Sequence, residues 1–144
     1  MALFRREMEK HGIPITALDA MTAIIREMKD LCPKEFSGVN YRALSDEDIA
    51  YLVSKVPAYP PYQDDFVCFG FAIKLWGDVM VEWARRSNGK EFALFGYAKV
   101  HVKDAPVNHG LNWYLSDEMK FRWFGSQVRT IVTPEIDKVF MVRA

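Results

Sequence analysis

Residues 65–86 read DFVCFGFAIKLWGDVMVEWARR, and this stretch decides the fold. Its apolar residues fall on most sides of a helix, which is typical of a central helix buried inside a domain. Asn88 and Gly89 follow it, and both residue types tolerate the left-handed conformation that ends helices. We therefore expect a helix from Asp65 to Arg86, with Cys68 in its first turn.

Two further helices are predicted before this stretch. Residues 16–31 repeat apolar positions every three or four residues, with Thr16 and Asp19 placed as a capping box. Ser45 and Asp48 give the same signal for the second helix. Residues 56–62 contain three prolines, so we expect a packed loop there that leads the chain to the central helix.

The rest of the chain changes to short aromatic and β-branched runs, which predict strands. These runs are 92–103, 110–115, 120–124, 129–132 and 139–143, with a hairpin turn at 116–118. Helices followed by strands indicate an α+β fold with the helices on one face of an antiparallel sheet. We expect a single domain, 1–144, made of a helical layer (1–56), a Pro-rich loop and central helix (57–90) and an antiparallel sheet (91–144).

Composition narrows the classes of function. The chain has 144 residues, with Lys plus Arg equal to Asp plus Glu at 19 each, so no basic excess suggests nucleic-acid binding. No apolar stretch approaches the roughly 18 residues that span a membrane, and the first residues lack the apolar core of a signal peptide. Cys32 and Cys68 match no zinc spacing. We expect a cytoplasmic protein with no cofactor, no metal, no nucleic-acid partner and no membrane partner.

Cys68 and His109 are the residues that carry chemistry. Positive potential at a helix N-terminus favours a thiolate, and an imidazole that reaches the sulfur can take its proton. Gln63, five positions before Cys68, would donate a side-chain N–H to an oxyanion hole beside the Cys68 backbone N–H. We expect Asn112, three residues after His109, to support the hairpin, because alternation along a strand turns it to the other face.

The alternative is an inert, buried cysteine. Free Cys is among the most buried residue types and usually packs as a small apolar group. Cys68 has Phe66, Phe69 and Phe71 around it in sequence, which is also how a core cysteine looks.

The motifs Cys68-Phe69-Gly70-Phe71-Ala72, His109-Gly110-Leu111-Asn112 and Phe124-Gly125-Ser126-Gln127 resemble those of a papain-like cysteine protease family. That family is typified by the C-terminal domain of a fungal agglutinin and by related small phage proteins. It shows Cys-x-x-Phe-Ala on the central helix, His-Ala-x-Asn on a strand about forty residues later, and a Phe-Glu-Pro-Gln-like segment on the next strand. The resemblance covers roughly residues 41 to 128 and implies a papain-like fold.

One departure from the family pattern bears on activity. The glutamate that orients the family's histidine would fall at Gly125, and glycine has no group to hold an imidazole. Gln127, two residues along the same strand, is the nearest polar substitute for that role.

Two functions follow from the resemblance. One is a thiol hydrolase of the cysteine peptidase type acting on a peptide or protein substrate, with Cys68 as nucleophile and His109 as general base. The other is a catalytically silent binding module, such as a phage accessory protein that binds and modulates a host protein.

Overall fold

The computed structural model describes residues 8, 10–28, 32–60 and 68–144. Within them the helices are α1 (Ala17–Met28), α2 (Asp46–Ser54) and α3 (Cys68–Arg86). The strands are β1 (Ile13–Thr16), β2 (Lys34–Glu35), β3 (Asn40–Ala43), β4 (Phe92–Ala93), β5 (Phe95–Val102), β6 (His109–Leu115), β7 (Phe121–Phe124), β8 (Ile131–Val132) and β9 (Ile136–Arg143). The α+β fold class is confirmed.

The two helix caps are formed by the residues that the sequence indicates. Thr16 Oγ1 accepts from the Asp19 N–H at 3.1 Å, and Ser45 Oγ accepts from the Asp48 N–H at 3.1 Å. Each side chain satisfies one N–H that the first turn of a helix leaves without an intrahelical partner. The hairpin at 116–118 also forms, closed by a Ser116 N–H donating to the Lys120 carbonyl at 2.9 Å.

The strands form two sheets in the described residues. The larger has the order β2-β9-β5-β6-β7-β8, antiparallel except where β2 runs parallel to β9. The smaller has the order β1-β3-β4. Three strands thus lie within residues 1–56, which we expected to be helical. They are short pieces of two to four residues, too brief for a pattern of alternation to reveal.

The expectation that the helices share one face of the sheet is wrong. One core cluster joins Leu75 and Val79 of α3 to Phe95 and Tyr114 of the sheet, and it also contains apolar residues of α2. The other joins Ala20 and Ile24 of α1 to the opposite face, with Trp113, Leu115 and Val142. Neighbouring residues such as Trp113 and Tyr114 are both buried, so β6 buries both of its faces.

Candidate functional site: a thiol and an imidazole at the start of helix α3

The site lies where the first turn of α3 crosses β6. Gly110 makes this crossing close, because a Cβ built on it would lie 2.3 Å from Phe69 Cα and 2.7 Å from Phe69 N. Any side chain at position 110 would therefore push the first turn of the helix away from the strand. The sequence motif contained this glycine, but nothing in the sequence shows that the helix backbone packs against it.

The structure brings the two predicted reactive side chains together. Cys68 Sγ lies 3.8 Å from His109 Nδ1, although the two residues are 41 positions apart. The Gly110 backbone N–H also donates to Cys68 Sγ, at 3.1 Å. Both Cys68 and His109 are half-buried. The thiol is thus neither sealed in the core nor on a separate face from the imidazole, and its sulfur accepts a hydrogen bond from the strand backbone.

The far side of the imidazole is less well supported. Among the described residues, no side chain or carbonyl forms a hydrogen bond with His109 Nε2. Gly125 is buried, and a Cβ there would lie 2.5 Å from Val128 Cγ2. The part of the site that would hold the imidazole in one orientation is therefore not built by the residues that the structure describes.

Gln127 does not extend the strand as we expected. β7 ends at Phe124, and the chain then turns, with the Arg129 N–H donating to the Gly125 carbonyl at 2.8 Å. Gln127 lies exposed on this turn. The alternation argument fails there because the backbone is no longer extended. Its role as an orienting residue stays a prediction.

Gln63 lies outside the described residues, and its oxyanion-hole role also stays a prediction. The Cys68 backbone N–H is the other predicted donor of that hole.

Asn112 has a different role from the one expected. It is fully buried, and its Nδ2 donates to the Ala72 carbonyl of α3 at 2.8 Å and to the Gly96 carbonyl of β5 at 3.0 Å. Asn112 therefore ties α3 to the sheet about one helical turn beyond Cys68, and it does not support the hairpin. These two hydrogen bonds fix the distance between α3 and the sheet at this turn of the helix.

A cavity of about 280 Å³ lies beside the same helix turn. Its walls are the loop 58–60, Phe71 of α3 and the turn residues Ser126, Gln127 and Arg129. Phe71 is three residues after Cys68 and so lies on the same side of the helix. The cavity therefore lies about one turn along the helix from Cys68, which is not itself one of the described wall residues.

Tyr59 lines this cavity, and several contacts hold its side chain in place. Its ring stacks on Phe71 with 6.0 Å between centroids, and the Arg129 guanidinium lies 4.6 Å from its ring centroid. Its hydroxyl donates to Asp78 Oδ2. Burial and this carboxylate raise the pKa of Tyr59 well above its usual range. The Tyr59 side chain is thus neutral at physiological pH and acts there as a hydrogen-bond donor.

The expectation of a packed loop holds for residues 57–60, since Tyr59 packs against the main core cluster. Residues 61 and 62 of the predicted loop lie outside the described residues.

In the described ranges, no group of three or more His, Cys, Asp or Glu side chains is arranged to hold a metal ion. None of the described helices is long and apolar enough to cross a bilayer.

Solved structures share this fold, and two of them are described below. A chain of the "PSL1a-E64 complex" gives a TM-score of 0.69 at 16% sequence identity, covering 91% of this chain and 50% of that chain. Polyporus squamosus lectin, bound to the human-type influenza-binding epitope Neu5Aca2-6Galb1-4GlcNAc, gives a TM-score of 0.67 at 15% identity, covering 91% and 49%. Neither a family model nor a curated protein sequence matches the chain.

These likenesses concern the fold. This chain spans about half the length of each similar structure, and the identities are 16% and 15%. They support the resemblance to a fungal lectin. The papain-like protease and phage parts of that resemblance stay predictions.

Proposed function

We propose that this protein is a thiol hydrolase that cleaves a peptide or amide bond, with Cys68 as nucleophile and His109 as general base. The single observation that carries the proposal is the 3.8 Å separation of Cys68 Sγ and His109 Nδ1. This is a loose but reachable contact for a nucleophile–base pair with no substrate bound.

The chemistry would run through a covalent acyl intermediate. His109 takes the thiol proton, and the Gly110 N–H stabilises the thiolate that remains. The sulfur attacks the substrate carbonyl, and the protonated imidazole then gives its proton to the leaving amine. Water hydrolyses the thioester, with His109 again acting as base. The Cys68 backbone N–H and Gln63 would donate to the oxyanion.

Alkylation of the folded protein tests the proposal. Cys68 should react with iodoacetamide near pH 7 and with E64, which carries a thiol-reactive epoxide and is named in the complex of one similar structure. Cys32 is the internal control, since it is also half-buried and outside any disulfide, and its sulfur lies 3.6 Å from Lys34 Nζ. Mass spectrometry of peptide fragments reports both sites. A Cys68 that reacts no faster than Cys32 would refute the hydrolase.

A catalytically silent binding module is the second candidate, and the comparisons favour it. One similar structure is a lectin bound to an oligosaccharide, and neither comparison names a hydrolysis. No described residue orients His109 from its far side, which favours this candidate too, because loss of an orienting residue can cost about 10⁴-fold in rate. The ligand would be a protein of a host, as the phage resemblance implies, or a glycan such as the one bound to the lectin.

Binding and hydrolysis are separated by the Cys68→Ala variant. A hydrolase loses turnover in this variant, whereas a binding module keeps its affinity for its ligand. Titration of Neu5Aca2-6Galb1-4GlcNAc into wild-type and variant protein by calorimetry tests the glycan case directly. Equal, saturable heats with no thiol reactivity would support the binding module.

A further inference from the structure

The cavity beside α3, called the cleft from here on, has both apolar and cationic groups in its walls. Its described walls combine the apolar surfaces of Tyr59 and Phe71 with the polar groups of Ser126, Gln127 and Arg129. None of these described wall residues is a carboxylate, so the charge that the described residues bring to the cleft is positive. A volume of about 280 Å³ is enough for one amino-acid side chain and some water.

Arg129 has donors left for a ligand. Its Nη1 donates to the Val56 carbonyl and its Nη2 to the Pro57 carbonyl, both at 2.6 Å. A guanidinium has five N–H groups, so three remain without a described partner. The charge of Arg129 faces carbonyl oxygens and the Tyr59 ring but no carboxylate among the described residues.

The unfavourable backbone conformation of Arg129 indicates that an arginine side chain is needed at this position. Its φ is 54°, in the left-handed region that glycine or asparagine adopts more easily. The two carbonyl bonds explain part of this choice, because they hold the loop 57–60 against the turn after β7. They also fix the guanidinium in place, which lowers the entropy lost when a ligand binds.

The cleft lies at the end of the β6–β7 ladder where His109 lies. Asn112 is paired with Phe124 in that ladder. His109 lies three residues before Asn112, and Gln127 lies three residues after Phe124. Because the two strands are antiparallel, both residues are at the same end of the ladder. Phe71 is about 4.5 Å from Cys68 along the helix axis. An extended peptide advances about 3.3–3.6 Å per residue, so a group in the cleft would be one or two residues from a carbonyl at the thiol.

We infer that this cleft binds a carboxylate of a peptide, with Arg129 as the residue that determines the specificity. The inference rests on the proposed function, since it names the substrate class of the same site. A guanidinium can bind a carboxylate through two parallel hydrogen bonds, and a partly enclosed cleft strengthens them. Tyr59 and Phe71 pack against the methylene groups of a Glu side chain.

Fluorescence anisotropy with the Cys68→Ala protein tests the inference without any turnover. The probes are fluorescein-labelled Gly-Leu-Ala-Xaa-Ala-Leu-Gly amides in which Xaa is Glu, Gln or Lys. A fourth probe has Gln at that position and a free C-terminal carboxylate. We expect the Glu probe to bind at least about tenfold more tightly than the Gln amide, the ratio expected for one charge-assisted hydrogen bond. If the free-carboxylate probe binds as tightly as the Glu probe, the inference holds and the C-terminus is a source of the group.

Substitutions at Arg129 locate the effect. Adding Arg129→Gln should remove the preference for Glu over Gln, and Arg129→Lys should keep part of it because the charge remains. Equal affinities for the Glu and Gln amides, or a preference that survives Arg129→Gln, would overturn the inference.

A second variant guards against a loss of structure. Arg129→Gln also breaks the two carbonyl bonds, so its thermal unfolding must be compared with that of the parent. Gln127→Glu instead adds a negative charge to the cleft from an exposed turn position. It should weaken the Glu probe several-fold and leave the Gln amide unchanged, and equal effects on both probes would count against the inference.

The two proposals can fail separately. A Glu preference that depends on Arg129, together with an unreactive Cys68, keeps the cleft and removes the hydrolase. A reactive Cys68 with no Glu preference keeps the hydrolase and removes the carboxylate subsite.

Discussion

The two histidines of neighbouring strands have opposite surroundings. His109 at the start of β6 faces the Cys68 thiol, at 3.8 Å, and has no described partner on its other ring nitrogen. His101 of β5 binds the Asp137 carboxylate through Nδ1 at 2.7 Å and the Ala105 carbonyl through Nε2 at 3.0 Å. The register pairs His109 with Val100, so the two histidines are next to each other on the sheet.

This difference shows what each imidazole is suited to do. His101 has both ring nitrogens in hydrogen bonds and a carboxylate beside it, so its orientation is fixed and its pKa is raised. His109 has the Cys68 thiol on one side and no described partner on the other, which is the arrangement that the proposed hydrolase needs between its base and its nucleophile. A thiol hydrolase would use a carboxylate–imidazole pair at His109. In this chain the pair is formed by His101 and Asp137, and His101 is the residue next to Val100, which lies opposite His109.

Removing each imidazole in turn is the strongest test of this contrast. His109→Ala should lower the rate of Cys68 alkylation by iodoacetamide at about pH 7 by about 100-fold, because the thiol loses its base. His101→Ala should leave the rate nearly unchanged, since its ring bonds Asp137 and the Ala105 carbonyl. The rate constants come from mass spectrometry of quenched samples. Similar losses in both variants would mean that general destabilisation, and not a base, controls the thiol.

The close crossing of α3 and β6 can be tested by adding one methyl group. Gly110→Ala should destabilise the fold by about 1–3 kcal/mol, because the new Cβ collides with the backbone of Phe69. It should also slow Cys68 alkylation, since the helix start must move away from His109. Urea unfolding and the alkylation rate report the two effects.

Gly77→Ala is the matched control in the same helix. A Cβ at position 77 meets nothing within 4 Å, and alanine is favoured over glycine inside a helix by about 1 kcal/mol. This variant should be at least as stable as the wild type and alkylate at the wild-type rate. If Gly110→Ala behaved like Gly77→Ala, the close packing of strand and helix would not be needed to position the thiol.

Much of this site could be predicted from the sequence, but only as separate parts. The helix period placed Cys68 in the first turn of α3, and the caps at Thr16 and Ser45 followed from local side-chain chemistry. The contact between Cys68 and His109 depends on how a helix lies over a strand, which periodicity does not encode. The turn at 125–130 and the hydrogen bond from Asn112 to the Ala72 carbonyl also depend on tertiary contacts, so alternation wrongly placed Gln127 on an extended strand and missed what Asn112 binds.

The packing of helices on both faces of the sheet was missed, although the sequence contains a signal for it. Residues 95–98 and 113–115 are apolar or aromatic except for Gly96, so these parts of β5 and β6 have no polar alternation. Such strands are covered on both faces. The sequence could therefore have indicated that α1 and α3 lie on opposite sides of the sheet.

The smallest expected effect concerns the pH dependence of the His101–Asp137 pair. The hydrogen bond to Asp137 raises the pKa of His101, with a further contribution from the Ala105 carbonyl. Protonated His101 therefore stabilises the folded state fully below its unfolded pKa of about 6.5, and the contribution is lost as the pH rises through the folded pKa. Asp137→Asn should lower the pKa of His101 and destabilise the fold slightly at about pH 5, and the difference from wild type should vanish by about pH 9. NMR titration of the imidazole and urea unfolding at both pH values measure this. A larger difference at high pH would show that Asp137 acts through another contact, and the contrast with His109 would lose its electrostatic basis.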